Sequence, residues 1–214
     1  MLIGIMGESG SGKTTSLRNL PPDETLYIDA DKKGLSWRGW RNQYNGAKKN
    51  YLTIDTPETV LIALDKVDRK TPPFENTHYV VIDTLNGIMV ADEFRRMKEK
   101  GYDKWADLAN AVYGIIDRAL MMRPDVTVIV TAHTQTDHDD NGYIFTRIKT
   151  SGRKLDKIGL ESKMPVVLHA KANQGQYVFE THANNSTAKT PLGAFEEDEI
   201  PNDVMKVIEV LEDY

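Results

Sequence analysis

Residues 7–14 read Gly7-Glu8-Ser9-Gly10-Ser11-Gly12-Lys13-Thr14. The apolar run Leu2–Met6 precedes them directly and predicts a short buried strand. The three glycines permit backbone conformations that a β-carbon obstructs, so successive N–H groups can point inward at phosphate oxygens. A helix that begins near Lys13 would add the positive end of its dipole. The stretch therefore matches a P-loop in the strand–loop–helix context that this motif requires.

The motif assigns a task to each polar side chain. The Lys13 ammonium can reach the β- and γ-phosphates of a nucleoside triphosphate, and the Thr14 hydroxyl can bind magnesium. The expected ligands are therefore ATP and Mg²⁺. The expected nucleotide contacts are Gly7, Glu8, Ser9, Gly10, Ser11, Gly12, Lys13, Thr14 and Thr15.

The rest of the chain alternates predicted strands with predicted helices. Unbroken apolar strands in such an order indicate an α/β fold, a P-loop NTPase whose mainly parallel central sheet is flanked by helices. Tyr143–Ile148 alternates instead and predicts half of a hairpin. The other expected strands are Thr25–Ala30, Tyr51–Ile54, Tyr79–Ile82, Val126–Thr131, Val166–Ala170 and Gln176–Thr181. The expected helices are Thr14–Asn19, Pro57–Arg69, Gly87–Lys100, Asp103–Met122 and Asp203–Leu211.

Polar residues follow three of these strands. Asp83 comes directly after Tyr79–Ile82, where open α/β sheets place their ligand sites. It is the expected Walker B acid and would hold magnesium together with Thr14. The alternative is that Asp83 only caps the helix that follows Thr84.

Two further strand ends carry candidate catalytic groups. Asp29 and Asp31 end the second strand, and either could polarise the attacking water; the alternative is that both are solvated loop acids. Thr131 and His133 end another buried strand, where a side chain would face the γ-phosphate and could sense hydrolysis. A structural histidine is the simpler alternative for His133.

Two basic segments are candidate nucleic-acid contacts. The segment 32–50 contains six cations, no acid, and interleaved aromatic residues, which suits phosphate contact and base stacking on single-stranded DNA. The alternative is that the tryptophans belong to the core or to a subunit interface. The candidate contacts there are Lys32, Lys33, Trp37, Arg38, Trp40 and Arg41. A second basic run, 147–157, adds Arg147, Lys149, Arg153 and Lys154.

Composition limits the class of protein. The 214 residues carry a formal net charge of −5, are 40% hydrophobic and include no cysteine, which excludes disulfides and thiolate metal sites. No signal peptide or membrane-spanning run is evident, so we expect a soluble, cytoplasmic protein. Residues 195–214 hold eight acidic residues against one lysine. That segment is either a tail that competes with DNA or a solvated amphipathic helix.

With these residues in place, the sequence resembles the RecA/RadA-type recombinase core, and more closely the small phage-encoded RecA-core ATPases of single-strand annealing. The resemblance spans roughly residues 1–195 and implies a core of residues 1–194 followed by an acidic segment, 195–214. It implies that Asp31 is the catalytic acid, where that family has glutamate, and that His133 replaces a glutamine sensor. It also implies a mobile DNA-binding loop at Gln135–Gly152 and a trans contact to a neighbouring subunit's ATP by Lys189.

Three functions are compatible with these observations. The first is a DNA-dependent ATPase that forms homo-oligomers on single-stranded DNA, with a single-strand-binding protein as a possible partner, in a bacterial host's cytoplasm. The second is a nucleotide-gated assembly switch or loader with little hydrolysis. The third is a small-molecule kinase, which would need an acceptor pocket and a lid with arginines; the available arginines are Arg95, Arg96, Arg118 and Arg123.

Overall fold

A computed structural model of the chain describes residues 1–101, 103–151, 155 and 159–212. Eight strands form one sheet in the order β10-β9-β8-β1-β5-β4-β2-β3, and β6 and β7 form a separate antiparallel hairpin. In chain order, the strands β1 to β10 are Leu2–Met6, Thr25–Asp29, Tyr51–Leu52, Tyr79–Asp83, Thr127–Ala132, Thr134–His138, Ile144–Ile148, Val166–Asn173, Gln176–Glu180 and Glu199–Pro201.

Six neighbouring strands run parallel, in the spatial order β3-β2-β4-β5-β1-β8. β9 and β10 add an antiparallel edge beside β8. The predicted fold class, a mainly parallel sheet between helices, is confirmed. β5 lies between β1 and β4, so the P-loop strand and the strand that ends in Asp83 are not direct neighbours. Because the carboxyl ends of parallel strands meet at one edge, the segments after β1, β2, β4 and β5 meet there.

The helices α1 to α5 are Trp40–Gln43, Pro57–Asp68, Leu85–Arg95, Asp103–Leu120 and Val204–Leu211. Side-chain oxygens of Thr56, Thr84 and Asp203 accept N–H groups at the first turns of α2, α3 and α5. Such caps satisfy backbone donors that have no partner within the helix.

The core has two parts, one on each face of the sheet. Leu2 and Met6 of β1 pack with α2, α3 and α4, whereas Ile3 and Ile5 pack on the opposite face with Leu17 and α5. The alternation follows from the two-residue period of a strand, and apolar residues on both faces explain why β1 reads as a continuous hydrophobic run.

The acidic segment 195–214 contributes to this core. Val204, Val207, Ile208 and Leu211 of α5 are buried, so this helix packs on the sheet. The boundary between residues 194 and 195 stays a prediction. Within the described ranges, every helix is too short or too polar to cross a bilayer.

One predicted helix differs in kind. The segment after the P-loop forms only a 3₁₀ turn, Thr15–Leu17, instead of the helix expected over Thr14–Asn19. Leu17 and Arg18 donate their N–H groups to carbonyls three residues earlier, and the Ser16 hydroxyl donates to the Lys13 carbonyl at 2.6 Å. This side-chain bond competes with helical pairing, and Pro21 prevents continuation.

Candidate nucleotide-binding site

The P-loop has the backbone that its glycines predict. Gly10 and Gly12 adopt φ angles of 81° and 94°, in the left-handed region that favours glycine. At Gly7 the need is for space, because a β-carbon there would lie 2.6 Å from the Ala170 carbonyl oxygen and would also strike the Ser11 hydroxyl. The loop therefore passes close to β8.

Lys13 lies inside this loop. Its Nζ donates to the carbonyl oxygens of Gly7 and Glu8 at 2.7 and 2.8 Å, and the residue is only 6% exposed. Burial lowers the pKa of Lys13 to about 8, an effect that the nearby Asp83 carboxylate partly offsets. The ammonium is thus held in the loop by neutral carbonyls, and phosphate oxygens would be stronger acceptors.

This pKa predicts that nucleotide affinity falls as the pH rises through about 8. Phosphate binds the charged ammonium, so a protein that has lost this proton must take it up again on binding. Affinity for ADP with Mg²⁺ should be roughly tenfold weaker at pH 9 than at pH 7. Titration calorimetry in two buffers of different ionisation enthalpy should show uptake of about one proton at pH 9 and almost none at pH 7. Equal affinities at the two pH values would contradict this role of Lys13.

Asp83 is the centre of a buried hydroxyl network. It is 1% exposed; its Oδ2 accepts from the Thr14 hydroxyl at 2.9 Å and from the Tyr27 hydroxyl at 2.6 Å, and its Oδ1 accepts from the Thr131 hydroxyl at 2.5 Å. A carboxylate and a hydroxyl in direct contact are oxygen ligands of the kind that Mg²⁺ prefers. The residues therefore fit a magnesium ion held between Thr14 and Asp83.

Two members of this network were not expected from the sequence in these roles. From the sequence, Tyr27 reads as one more buried residue of β2, and Thr131 is one of two candidate γ-phosphate sensors, after His133. In the structure the hydroxyls of Tyr27 and Thr131 both donate to the Asp83 carboxylate and orient it. A tyrosine within an otherwise aliphatic strand, one strand away from the acid, was the available signal for Tyr27.

The structure separates the two acids after β2. Asp29 accepts from the Gly34 N–H at 2.8 Å and from the Tyr51 hydroxyl at 2.5 Å, so it is engaged by the loop that follows. Asp31 instead accepts from the Thr84 hydroxyl at 3.1 Å, next to Asp83. After the larger effects of burial and of Asp83, the charge of Asp31 also acts to raise the pKa of Lys13, so Asp31 lies near the P-loop.

His133 follows β5 and lies in the same region. Burial, and then the positive charge of Lys13, lower the pKa of His133. A cavity of about 330 Å³ is lined by His133 and Asp31 together with residues of α3. The structure thus brings Lys13, Thr14, Asp83, Asp31 and His133 to one edge of the sheet.

The β6–β7 hairpin is fastened to this edge at two points. The Asn86 side chain accepts from the His133 N–H at 2.7 Å and donates to the Lys149 carbonyl at 2.8 Å. The Thr134 hydroxyl donates to the Glu8 carboxylate of the P-loop at 2.5 Å. The segment Gln135–Gly152, expected to be a mobile DNA-binding loop, therefore contains a paired hairpin that contacts the nucleotide site.

A further polar group lies against Gly12. A β-carbon on Gly12 would lie 2.9 Å from the Tyr177 ring and 3.1 Å from the Asn202 side-chain oxygen. Asn202 is 5% exposed, and among the described residues neither polar atom of its amide has a hydrogen-bond partner. Sequence reasoning missed both residues, because nothing in their local pattern marks them.

The basic segment 32–50 is largely engaged within the chain. Lys32 pairs with Asp55 at 2.7 Å and Lys33 with Asp31 at 2.6 Å. The Trp37 indole donates to Gln43 at 2.6 Å, and the Arg41 guanidinium lies 4.6 Å from the centre of the Trp40 ring. Trp37 and Trp40 pack against the core, whereas Arg38 and Arg41 remain exposed.

The second basic run begins in β7, and Lys189 pairs with β8. Arg147 pairs with Asp137 across the hairpin at 2.7 Å, and Lys149 is exposed at its base. Arg153 and Lys154 lie outside the described residues. Lys189 exchanges two backbone hydrogen bonds of 2.8 Å with Val167, which is in register with Gly4, so its backbone lies away from the P-loop of its own chain.

Comparison with other proteins identifies the family of the chain. A family model described as AAA domain matches residues 1–192, which is most of the chain. Comparison with curated proteins gives no match. A mainly parallel sheet, a P-loop after its first strand and an acid at the end of a nearby strand agree with the family match. The chain therefore belongs to the AAA domain family of P-loop NTPases, which implies nucleotide binding and ATPase activity.

Proposed function

We propose that this protein is a magnesium-dependent ATPase of the RecA-core type that acts on single-stranded DNA in phage-type recombination or annealing. The observation that carries the proposal is the convergence of Lys13, Asp83, Asp31 and His133 at the edge from which the β6–β7 hairpin projects. Nucleotide chemistry and a candidate DNA-binding element are thus directly connected in one chain.

The residues support an in-line attack of water on the γ-phosphorus. Asp31 orients the water and accepts its proton, a new oxygen–phosphorus bond forms, and the bond to the β-phosphate oxygen breaks. ADP leaves with the electron pair of that bond, and inorganic phosphate is the second product. Lys13 stabilises the negative charge that develops on the phosphate oxygens. Magnesium, when bound, neutralises charge on the β- and γ-phosphates.

The hairpin supports a role for DNA. Lys149 is exposed where the hairpin leaves the sheet, and Asn86 joins its backbone to that of His133. A shift of His133 on loss of the γ-phosphate would therefore move the base of the hairpin. Contacts from exposed Lys and Arg side chains would be to the DNA backbone, without base reading.

A homo-oligomer agrees with the surface near the site. Val90 and Phe94, one turn apart on α3, are 46% and 69% exposed, and Met97 beyond the helix is 67% exposed. Val90 also lines the cavity that contains Asp31 and His133. An apolar surface beside the nucleotide site suits a neighbouring subunit, which would place the Lys189 segment of one copy near the ATP of another.

A nucleotide-gated assembly switch is the second candidate. The Lys33–Asp31 ion pair favours it, because an acid that is already paired activates water poorly. The kinase hypothesis has less support, because the four arginines available for a lid are all paired with carboxylates of the chain. The pairs are Arg95 with Asp55, Arg96 with Glu99 and Asp107, Arg118 with Asp65 and Asp68, and Arg123 with Asp125.

Phosphate release from ATP should rise severalfold when single-stranded DNA is added, and Lys13→Ala should abolish the release with or without DNA. The stimulation of phosphate release by DNA should weaken as the salt concentration rises, because contacts to the DNA backbone release counterions. Lys149→Ala should reduce the slope of the logarithm of DNA affinity against the logarithm of salt concentration by about one. Tight nucleotide binding without any DNA effect would reject the DNA role and favour the assembly switch. Turnover that requires a small acceptor and releases no free phosphate would instead indicate a kinase.

A further inference from the structure

We propose that Lys33 is a second γ-phosphate-binding residue, supplied in cis by the loop after β2. The inference rests on the proposed ATPase function and deepens it. Its basis is the position of the Lys33 ammonium, 2.6 Å from the Asp31 carboxylate, which in turn accepts from the Thr84 hydroxyl next to Asp83. From its sequence, Lys33 was only one of several cations in a candidate DNA-binding segment.

The loop that carries Lys33 is fixed on both sides. The buried Asp29 carboxylate accepts the Gly34 N–H at 2.8 Å, and a β-carbon on Gly34 would lie 2.8 Å from the Trp40 ring. Lys32 has a positive φ of 57°, which is uncommon for a residue other than glycine. This turn sends the two consecutive lysines in different directions, Lys32 to Asp55 and Lys33 back to Asp31. The fold therefore fixes the backbone on both sides of Lys33 within reach of Asp31.

The electrostatics of the site support the same position. The positive charge of Lys33 contributes, after burial, to lowering the pKa of both Lys13 and His133. Burial alone would lower the pKa of Lys33, but the hydrogen bond to Asp31 and the nearby Asp83 carboxylate outweigh it and raise this pKa. Lys33 therefore stays charged and acts on the same groups that surround the expected γ-phosphate.

Two cations then converge on the end of the triphosphate. Lys13 reaches it from the P-loop, and Lys33 reaches it from the loop after β2, at the same edge of the sheet. The γ-phosphate competes with Asp31 for the Lys33 ammonium, and the exchange leaves the Asp31 carboxylate free to orient water. ADP lacks this phosphate, so it leaves the Lys33–Asp31 pair in place. Lys33 therefore distinguishes ATP from ADP and readies Asp31 only when ATP is bound.

The test compares Lys33→Ala and Lys33→Arg with the wild type and with a control. Lys163→Ala is a matched control, because Lys163 also forms a 2.6 Å pair, with Asp117, away from the site. Affinities for ADP and for a non-hydrolysable ATP analogue, both with Mg²⁺, are measured by calorimetry, and phosphate release is measured without DNA. Lys33→Ala should reduce the preference for the analogue, which is the ratio of its affinity to that of ADP, by about tenfold. It should reduce the turnover number of phosphate release about 100-fold. Lys33→Arg should retain most of the preference, since a cation remains, and Lys163→Ala should change neither quantity.

The outcomes separate this inference from the proposed function. An unchanged preference in Lys33→Ala would overturn it, because a lysine that binds the γ-phosphate must favour the analogue over ADP. Equal effects of Lys33→Ala and Lys163→Ala would also overturn it. A wild type that binds the analogue yet releases no phosphate would reject the ATPase, while the affinity ratio would still decide the role of Lys33. A wild type that binds no nucleotide would overturn both.

Discussion

Lys13→Ala is expected to weaken the binding of ATP by at least about 100-fold and to reduce hydrolysis to background. The ammonium is the one charged donor held inside the described P-loop, 2.7 Å from the Gly7 carbonyl oxygen. A hydrogen bond to a charged group contributes about 1.5–3 kcal/mol, and more where water is excluded. Calorimetric titration with ADP and with a non-hydrolysable ATP analogue measures the loss of affinity.

The folded protein should tolerate this change. Lys13 is buried, so its removal leaves two carbonyl oxygens without a donor but also relieves the cost of burying a charge. The free energy of unfolding without ligand should therefore change by no more than about 1 kcal/mol. Lys13→Arg should not restore binding, since a guanidinium is larger and differs in geometry from an ammonium. Binding within threefold of wild type in Lys13→Ala would contradict the assignment of the phosphate site.

Asp83→Asn is expected to reduce hydrolysis by about 100- to 1,000-fold and to abolish the effect of Mg²⁺ on nucleotide binding. The change removes the negative charge beside Thr14 and places an amide donor among three hydroxyl donors. It should also lower the free energy of unfolding by about 1–3 kcal/mol, because a buried hydrogen bond is lost. Affinity measured with and without Mg²⁺, together with thermal unfolding, tests both expectations.

Two variants separate the effect of losing the Asp83 charge from the effect of losing a hydrogen bond to Asp83. Tyr27→Phe and Thr131→Val each remove one hydroxyl that donates to Asp83 but keep the carboxylate. Each should cost about 1 kcal/mol of stability while magnesium dependence persists. Should Asp83→Asn keep full magnesium dependence, Asp83 would be a structural residue of the network and not a metal ligand.

Much of the fold could be predicted because the parallel strands are buried on both faces. Tyr79–Asp83 and Thr127–Ala132 were each expected within one residue, since short unbroken runs rich in β-branched residues are typical of strands buried on both faces. The 3₁₀ turn at Thr15–Leu17 was missed because a local hydroxyl bond, invisible to periodicity, replaces helical pairing. The short edge strand Glu199–Pro201 carries no hydrophobic pattern and was also missed.

The candidate site was only partly predictable. Motif and strand-end position brought out Lys13, Asp83 and the pair Asp29 and Asp31, because these features depend on local sequence; only the family resemblance singled out Asp31. The partners of a side chain depend on which strands are neighbours, and sequence spacing does not determine that. Hence the sequence indicated an acid-free basic segment, 32–50, whereas the fold brings Asp55 to Lys32 and turns the loop so that Lys33 pairs with Asp31, two residues before it.

The attachment of the β6–β7 hairpin to the P-loop has a thermodynamic consequence. Glu8 and Thr134 belong to the two elements and share one hydrogen bond, so occupancy of the P-loop and the position of the hairpin are linked. Linkage is reciprocal: whatever factor the nucleotide applies to the affinity of a hairpin ligand, that ligand applies to the affinity of the nucleotide. Under the proposed function, a DNA strand that favours the nucleotide-bound position of many hairpins would hold nucleotide on every subunit that it touches, and release of one ligand would promote release of the other.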